Sequence, residues 1–253
     1  MIATRIRAMG APHWLALFAV ILGAWIILYM MSAPADLRAA GQGYGAGFWR
    51  DLCMLTPDAA GFLKMGLMWA LMAAAMMAPT ALPAFATYDE LASSGADTRF
   101  GLLVAGYLAV WLGFSGVAAA VQVALFGAGL LDPFGSSLSA PLSAGLLAMA
   151  GVYQFTPLKD ACLSKCRMPL TVFIQHWDEG AFRNGLRLGA ACLGCCWALM
   201  LLAFVGGVMS LGFMALATLL MVLEKLPEIG RWLTRPLGAA LLVGAGFVAL
   251  NGL

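Results

Sequence analysis

The sequence predicts an all-α fold, a polytopic transmembrane helix bundle of about seven helices, and three observations predict it. The mean hydropathy is +0.92, and charged residues make up only 10% of the chain, where soluble domains carry roughly a quarter. Seven apolar segments come close to the roughly 20 residues that cross a hydrocarbon core. The loops between them concentrate Lys and Arg on alternate sides. An isolated strand cannot satisfy its backbone in lipid, so each segment is expected to be a helix.

The first segment, about residues 13 to 33, follows Arg5 and Arg7. Ala33, Pro34 and Ala35 imitate a signal-peptide cleavage site, but the apolar stretch exceeds the usual length of about 7 to 15 residues, so it is expected to be retained. A glycine-rich loop follows (Gly41, Gly43, Gly45, Gly47), with an interfacial piece near Phe48 and Trp49. The next segments are about 61 to 86, 100 to 128 and 138 to 158. The fifth, 185 to 206, and the sixth, 210 to 227, are parted only by Gly206, Gly207, Val208 and Met209. The glycine pair favours a tight hairpin over one long helix. The seventh runs from 234 to 252.

Charge orients the bundle. Lys159, Lys165, Arg167, Arg183 and Arg187 surround the loop between spans four and five, and Lys225, Arg231 and Arg235 lie between six and seven. Together with Arg5 and Arg7 they place the amino terminus in the cytoplasm and the carboxyl terminus outside. The loop from Tyr88 to Arg99 opposes Arg99 to Asp89, Glu90 and Asp97, but acidic residues weigh little in this rule. The stretches outside the spans, about 34 to 60 and 159 to 184, are too short to fold alone, so residues 1–253 form a single transmembrane domain.

Several function classes drop out. A net charge of +2 argues against a nucleic-acid partner. The chain holds no glycine-rich phosphate loop, Ser/His/Asp set or HExxH string, so hydrolase and nucleotide-driven pump readings find no support and an enzyme is not the expectation.

The cysteines carry the chemistry. Five of six fall in two clusters, Cys162/Cys166 and Cys192/Cys195/Cys196. Residues at i, i+3 and i+4 share a helix face, so each cluster presents its sulfurs on one stripe. Both lie toward the cytoplasmic side, where they can converge. A disulfide framework does not suit the reducing cytosol, and Cys53 stands alone in the outer loop. Packing by small apolar thiols is the bland alternative.

The strings MWALMAAAMMAPTALP (68 to 83), GVYQFTPLKDACLSKCRMPL (151 to 170), CLGCCWALM (192 to 200) and GVMSLGFMALATLLMVLEKLP (207 to 227) resemble a bacterial family of predicted metal-binding integral membrane proteins, catalogued as a domain of unknown function. The resemblance covers about residues 61 to 230 and implies a multi-pass protein of the bacterial inner membrane that binds metal. Its label transfers no established activity.

Thiolates with thioethers nearby favour Cu(I), with Zn(II) the competitor for a closed thiolate set. Span two supplies the thioethers: Met65, Met68, Met72 and Met76 draw a line down one helix face over about 16 Å, with Met77 beside it. The expectation is therefore a metal site at Cys162, Cys166, Cys192, Cys195 and Cys196, with the methionine face as a path and transfer or homeostasis of Cu(I) as the role. The partners are the lipid bilayer and a membrane protein or metallochaperone. Packing explains a methionine stripe equally well, and Lys64 opposes a cation approaching Met65.

Other polar residues receive plainer readings. Glu224 and Lys225 are expected to pair with each other or snorkel, with Glu224 as carboxylate ligand or proton carrier the sharper option. Gln122 and Gln154 are expected to hydrogen-bond between helices. Trp14, Trp49, Trp177 and Trp232 read as interfacial anchors, and His176 as a solvated side chain or an extra ligand. Gly185 and Gly189 are expected to let another helix approach span five and bring the cysteine clusters together. Two rival functions stay open: a structural or assembly subunit of a membrane complex, and thiol redox chemistry through Cys192 and Cys195, a CxxC pair that no obvious cation activates.

Overall fold

The computed structural model describes residues 11–32, 56, 58–93 and 99–252. Expectations for Cys53, Trp49, the glycine-rich loop, Arg5 and Arg7 fall outside these residues. The described chain is helical, with a single isolated bridge between Leu131 and Ser137 and no strand among the described residues. The helices are α1 (Pro12–Ser32), α2 (Ala59–Ser93), α3 (Phe100–Gly127), α4 (Ala140–Tyr153), α5 (Pro157–Arg167), α6 (Pro169–Gln175), α7 (Ala181–Leu201), α8 (Ala203–Gly206), α9 (Leu211–Lys225) and α10 (Gly230–Asn251).

Each of the seven apolar segments coincides with a helix, but only five are long and apolar enough to cross a membrane: α1, α2, α3, α7 continued through α8, and α10. The fourth and sixth segments differ from expectation. α4 has 14 residues and α9 has 15, about 21 and 22 Å at 1.5 Å per residue. The causes are local. α4 starts at the Ser139 cap, whose side chain accepts from the Leu142 amide, with proline in its first turn. It ends before Thr156 and Pro157, which cap and begin α5 in the same manner. α9 starts at the Ser210 cap and stops just before Pro227. Between α8 and α9 the chain reverses at Gly207, whose φ of +88° suits glycine. The two segments are thus separate helices.

α2 is longer than expected, 35 residues, and holds Pro79 and Pro83 in its interior. Proline removes the donor that would reach the carbonyl four residues back. For Pro79 that carbonyl is Ala75, and the Trp25 indole of α1 donates to it at 2.9 Å. The break in the ladder thereby becomes the joint between α1 and α2.

α7 packs against α3 through close backbone approaches. A Cβ at Gly185 would lie 2.1 Å from the Leu103 carbonyl oxygen, and one at Gly106 would lie 2.2 Å from that of Phe182. Gly185 and Gly189 therefore do admit a neighbour, but the neighbour is α3 and not the helix carrying Cys162. One core cluster extends from Trp14 in α1 to Met221 in α9 and contains all four stripe methionines and Cys192, Cys195 and Cys196. α10 packs chiefly on α4 and leaves Trp232, Val243, Phe247 and Leu250 exposed.

The tryptophan expectation divides. Trp232 is 83% exposed, whereas Trp14 is buried and donates from Nε1 to Asp89 at 2.9 Å. Trp177 stacks on Tyr88 with ring centroids 5.3 Å apart. Gln122 bridges α3 to α2 by accepting from Trp69 Nε1 at 2.7 Å. Gln154 is buried, yet its Oε1 finds no donor among the described residues, so the interhelical bond expected of that oxygen is not seen there.

Candidate metal centre

The polar helix α5 brings the two cysteine clusters together. Thr156 caps it, Asp160 sits in its first turn and Lys165 and Arg167 in its last, each charge on the favourable end of the helix dipole. Leu163 and Lys159 anchor it. Lys159 Nζ donates to both Glu224 carboxylate oxygens, at 3.1 and 2.9 Å, and this pair is almost fully buried. From the other end of α5, Arg167 Nε and Nη2 donate to the Glu224 carbonyl at 3.0 and 2.8 Å. Two separate grips on one residue thus dock α5 on the end of α9.

Docked in this way, α5 sets its thiols over α7. Cys166 Sγ lies 3.9 Å from Cys195 Sγ, and Cys195 Sγ lies 3.2 Å from Cys196 Sγ. Cys162 rests over Gly194, where a Cβ would come within 2.5 Å of its sulfur. The glycine in the CLGCC string therefore leaves the space that Cys162 occupies. All five described cysteines are free thiols, with Cys192, Cys195 and Cys196 buried and Cys162 and Cys166 half-buried. The sulfurs meet as pairs. Among the described residues no three His, Cys, Asp or Glu side chains are gathered as a ready ligand set.

Cys192 keeps different company. Tyr107 Oη stands 3.1 Å from its sulfur and donates at 2.8 Å to the Met77 carbonyl of α2. Lys225 Nζ donates to Cys192 Sγ at 3.0 Å and also to Thr80 Oγ1. Glu224 and Lys225 thus neither pair with each other nor snorkel. Consecutive on α9, they point apart, Glu224 to Lys159 and Lys225 to the thiol. A cation does stand beside the CxxC pair, and it comes from a helix distant in sequence.

The stripe methionines Met65, Met68, Met72 and Met76 are all buried, 0 to 2% exposed. They face the core, and the lower end of the stripe reaches Cys192 through the Met77 carbonyl and Tyr107. His176 is held away from the sulfurs, with Nδ1 3.0 Å from Glu179. Arg187 makes two hydrogen bonds to Glu179, at 2.9 and 2.7 Å, and these hold the Glu179 carboxyl below the ordinary carboxylate range.

Two cavities border the thiols. One of about 390 Å³ is lined by Cys166 and Cys192 together with Thr80, Tyr107, Arg167 and Lys225. The other, about 430 Å³, is lined by Cys162, Lys165, Met168, His176 and Arg187. They use alternate positions on α7, Leu188 and Cys192 for the first and Arg187, Ala190 and Ala191 for the second. None of the four stripe methionines lines either one.

Lys225, Tyr107, Thr80 and Lys159 were not among the residues singled out by spacing. Lys159 and Lys225 lie at the edges of apolar runs, where a charge ordinarily reaches for water. Tyr107 and Thr80 carry no pattern. The available signal was a run-edge lysine two positions before Pro227 beside an acid, and it does not specify a partner.

No curated protein and no solved structure matches the chain. Residues 66–248, well over half of the sequence and including every cysteine of both clusters, match the sequence model of the family PpoB2, described as a copper chaperone. The chain belongs to that copper chaperone family.

Proposed function

We propose that the chain is a multi-pass protein of the bacterial inner membrane that binds Cu(I) through the sulfurs of Cys166, Cys195, Cys196 and Cys192, with Cys162 at the outer edge of the site, and passes it to a protein partner. The observation that carries this reading is the 3.9 Å approach of Cys166 to Cys195, made across two helices from distant parts of the chain. Two metal–sulfur bonds of roughly 2.3 Å span such a separation at an angle between tetrahedral and trigonal. Thiolate ligands select Cu(I) among the biological monovalent ions, and the family description names copper. The five helices of spanning length support the membrane setting. The buried methionine face supplies weak, neutral thioether ligands on the side of Cys192 away from α5.

Metal analysis of the protein purified anaerobically in detergent with reductant tests the reading, against a variant in which Cys192, Cys195 and Cys196 are all Ser. Near-stoichiometric copper is expected in the parent and none in the variant. An empty parent after both Cu(I) and Zn(II) have been offered sinks the proposal. A thiol redox role through Cys192 then becomes the reading to pursue, since Lys225 stands beside that sulfur.

A further inference from the structure

The charges that line the cavity shared by Cys166 and Cys192 are of one sign. In the 390 Å³ cavity the charged lining residues among those described are Arg167 and Lys225, and no described Asp, Glu or His borders it. The neighbouring acid, Glu224, has its carboxylate engaged by Lys159. Arg167 hydrogen-bonds to a backbone carbonyl there, and the guanidinium remains a cation. The 430 Å³ cavity differs: Lys165 borders it beside Cys162, but its Arg187 and His176 are both held by the Glu179 carboxylate. A bare metal cation would approach Cys166 and Cys192 against like charge, whereas an anion would be drawn in.

We propose that copper reaches these thiols as an anionic Cu(I) complex of a small thiol that bears carboxylates, seated in the cavity shared by Cys166, Cys192, Arg167 and Lys225. This rests on the copper-binding reading above and adds the form in which the metal arrives. At about 390 Å³ the cavity lies toward the small end of ligand sites, which run from roughly 300 to 1,000 Å³. It suits a ligand of tripeptide scale. Cu(I) held by two small thiolates carries one net negative charge, to which the ligand's carboxylates add, and Arg167, whose Nε and Nη2 stay on the Glu224 carbonyl, adds its positive charge to that of Lys225.

Transfer is then a ligand exchange. A cysteine sulfur of the protein forms a bond to copper as the bond to one small thiolate breaks. The proton of the incoming cysteine thiol leaves on the departing thiolate, which is released as a neutral thiol group. Copper remains Cu(I) throughout, so no electron is exchanged and no oxidant is needed.

The test offers Cu(I) to the full chain in detergent, anaerobically, as its complexes with glutathione, with the uncharged 2-mercaptoethanol and with the cationic cysteamine, all at matched free Cu(I). The glutathione complex is expected to load the protein about tenfold faster than the 2-mercaptoethanol complex, with cysteamine the slowest donor. Arg167→Gln is expected to narrow the rate difference between the glutathione and 2-mercaptoethanol complexes. Should that variant misfold, raising the ionic strength on the unaltered protein makes the same comparison, because screening removes a charge-based preference. Equal loading rates from all three donors overturn the proposal and leave copper binding standing. No loading from any donor overturns both.

Discussion

A methyl group at position 194 would lie 2.5 Å from the Cys162 sulfur, inside any tolerable contact, while alanine is the better helix former by about 1 kcal/mol. Gly194→Ala is therefore expected to keep or raise thermal stability while expelling Cys162 from its place over α7. Faster maleimide labelling of Cys162 with an unchanged melting temperature would bear this out, and unchanged labelling would refute it. Lys225→Met removes the donor to both Cys192 and Thr80. Hydrogen bonds to charged groups contribute about 1.5–3 kcal/mol, so Cu(I) retention against a chelator should weaken by roughly 10- to 100-fold. Lys225→Arg should not restore it, since a planar fork does not replace a compact ammonium in a closed space. Retention equal to the parent's in Lys225→Met would remove the lysine from the site. At this scale the i, i+3, i+4 spacing of Cys192, Cys195 and Cys196 made their shared face legible in advance. The partners of that face were not legible. Lys225 belongs to a residue class that usually escapes to water, and the 3.0 Å contact depends on α9 folding back beside α7.

The docking of α5 depends on Lys159 and Glu224, whose side chains are 0% and 2% exposed. Removing one partner of a buried pair leaves an uncompensated charge and costs about 3–5 kcal/mol, whereas replacing both with apolar groups is often neutral. Glu224→Gln is expected to destabilise the protein in detergent and to loosen α5, with Cys166 labelled more rapidly. The double variant Lys159→Met with Glu224→Leu should recover most of the melting temperature. If the double variant melts no higher than Glu224→Gln, the pair is not the clamp described here. Helix content was readable from hydropathy because each apolar run is helical. The ends were less readable, since hydropathy continues across Gln154 and Phe155 while the Thr156 cap and Pro157 start a new helix. The polar helix α5 and the seven-residue α6 give no extended apolar period to detect. Proline at the head of each and the cap at Thr156 were the available signs.

For the whole molecule the membrane setting makes a directional prediction. In a Cys53→Ser background, a membrane-impermeant maleimide should label Cys162 in inverted inner-membrane vesicles and not in intact spheroplasts, because the half-buried Cys162 lines an open cavity beside the basic segments expected to be cytoplasmic. Labelling from the outer side would reverse the orientation. In the seven-span reading α4 and α9 also cross the bilayer. At about 21 and 22 Å they fall some 8 Å short of a hydrocarbon slab of about 30 Å, and membranes meet such a deficit by thinning or by drawing flanking side chains outward. Hydrophobic mismatch of this kind costs fractions of a kcal/mol per Å, which over two helices is enough to sort a protein among lipids. The chain should accordingly be most stable in bilayers of shorter acyl chains, and in thicker ones it should draw a collar of compressed lipid around the α4 and α9 side of the bundle.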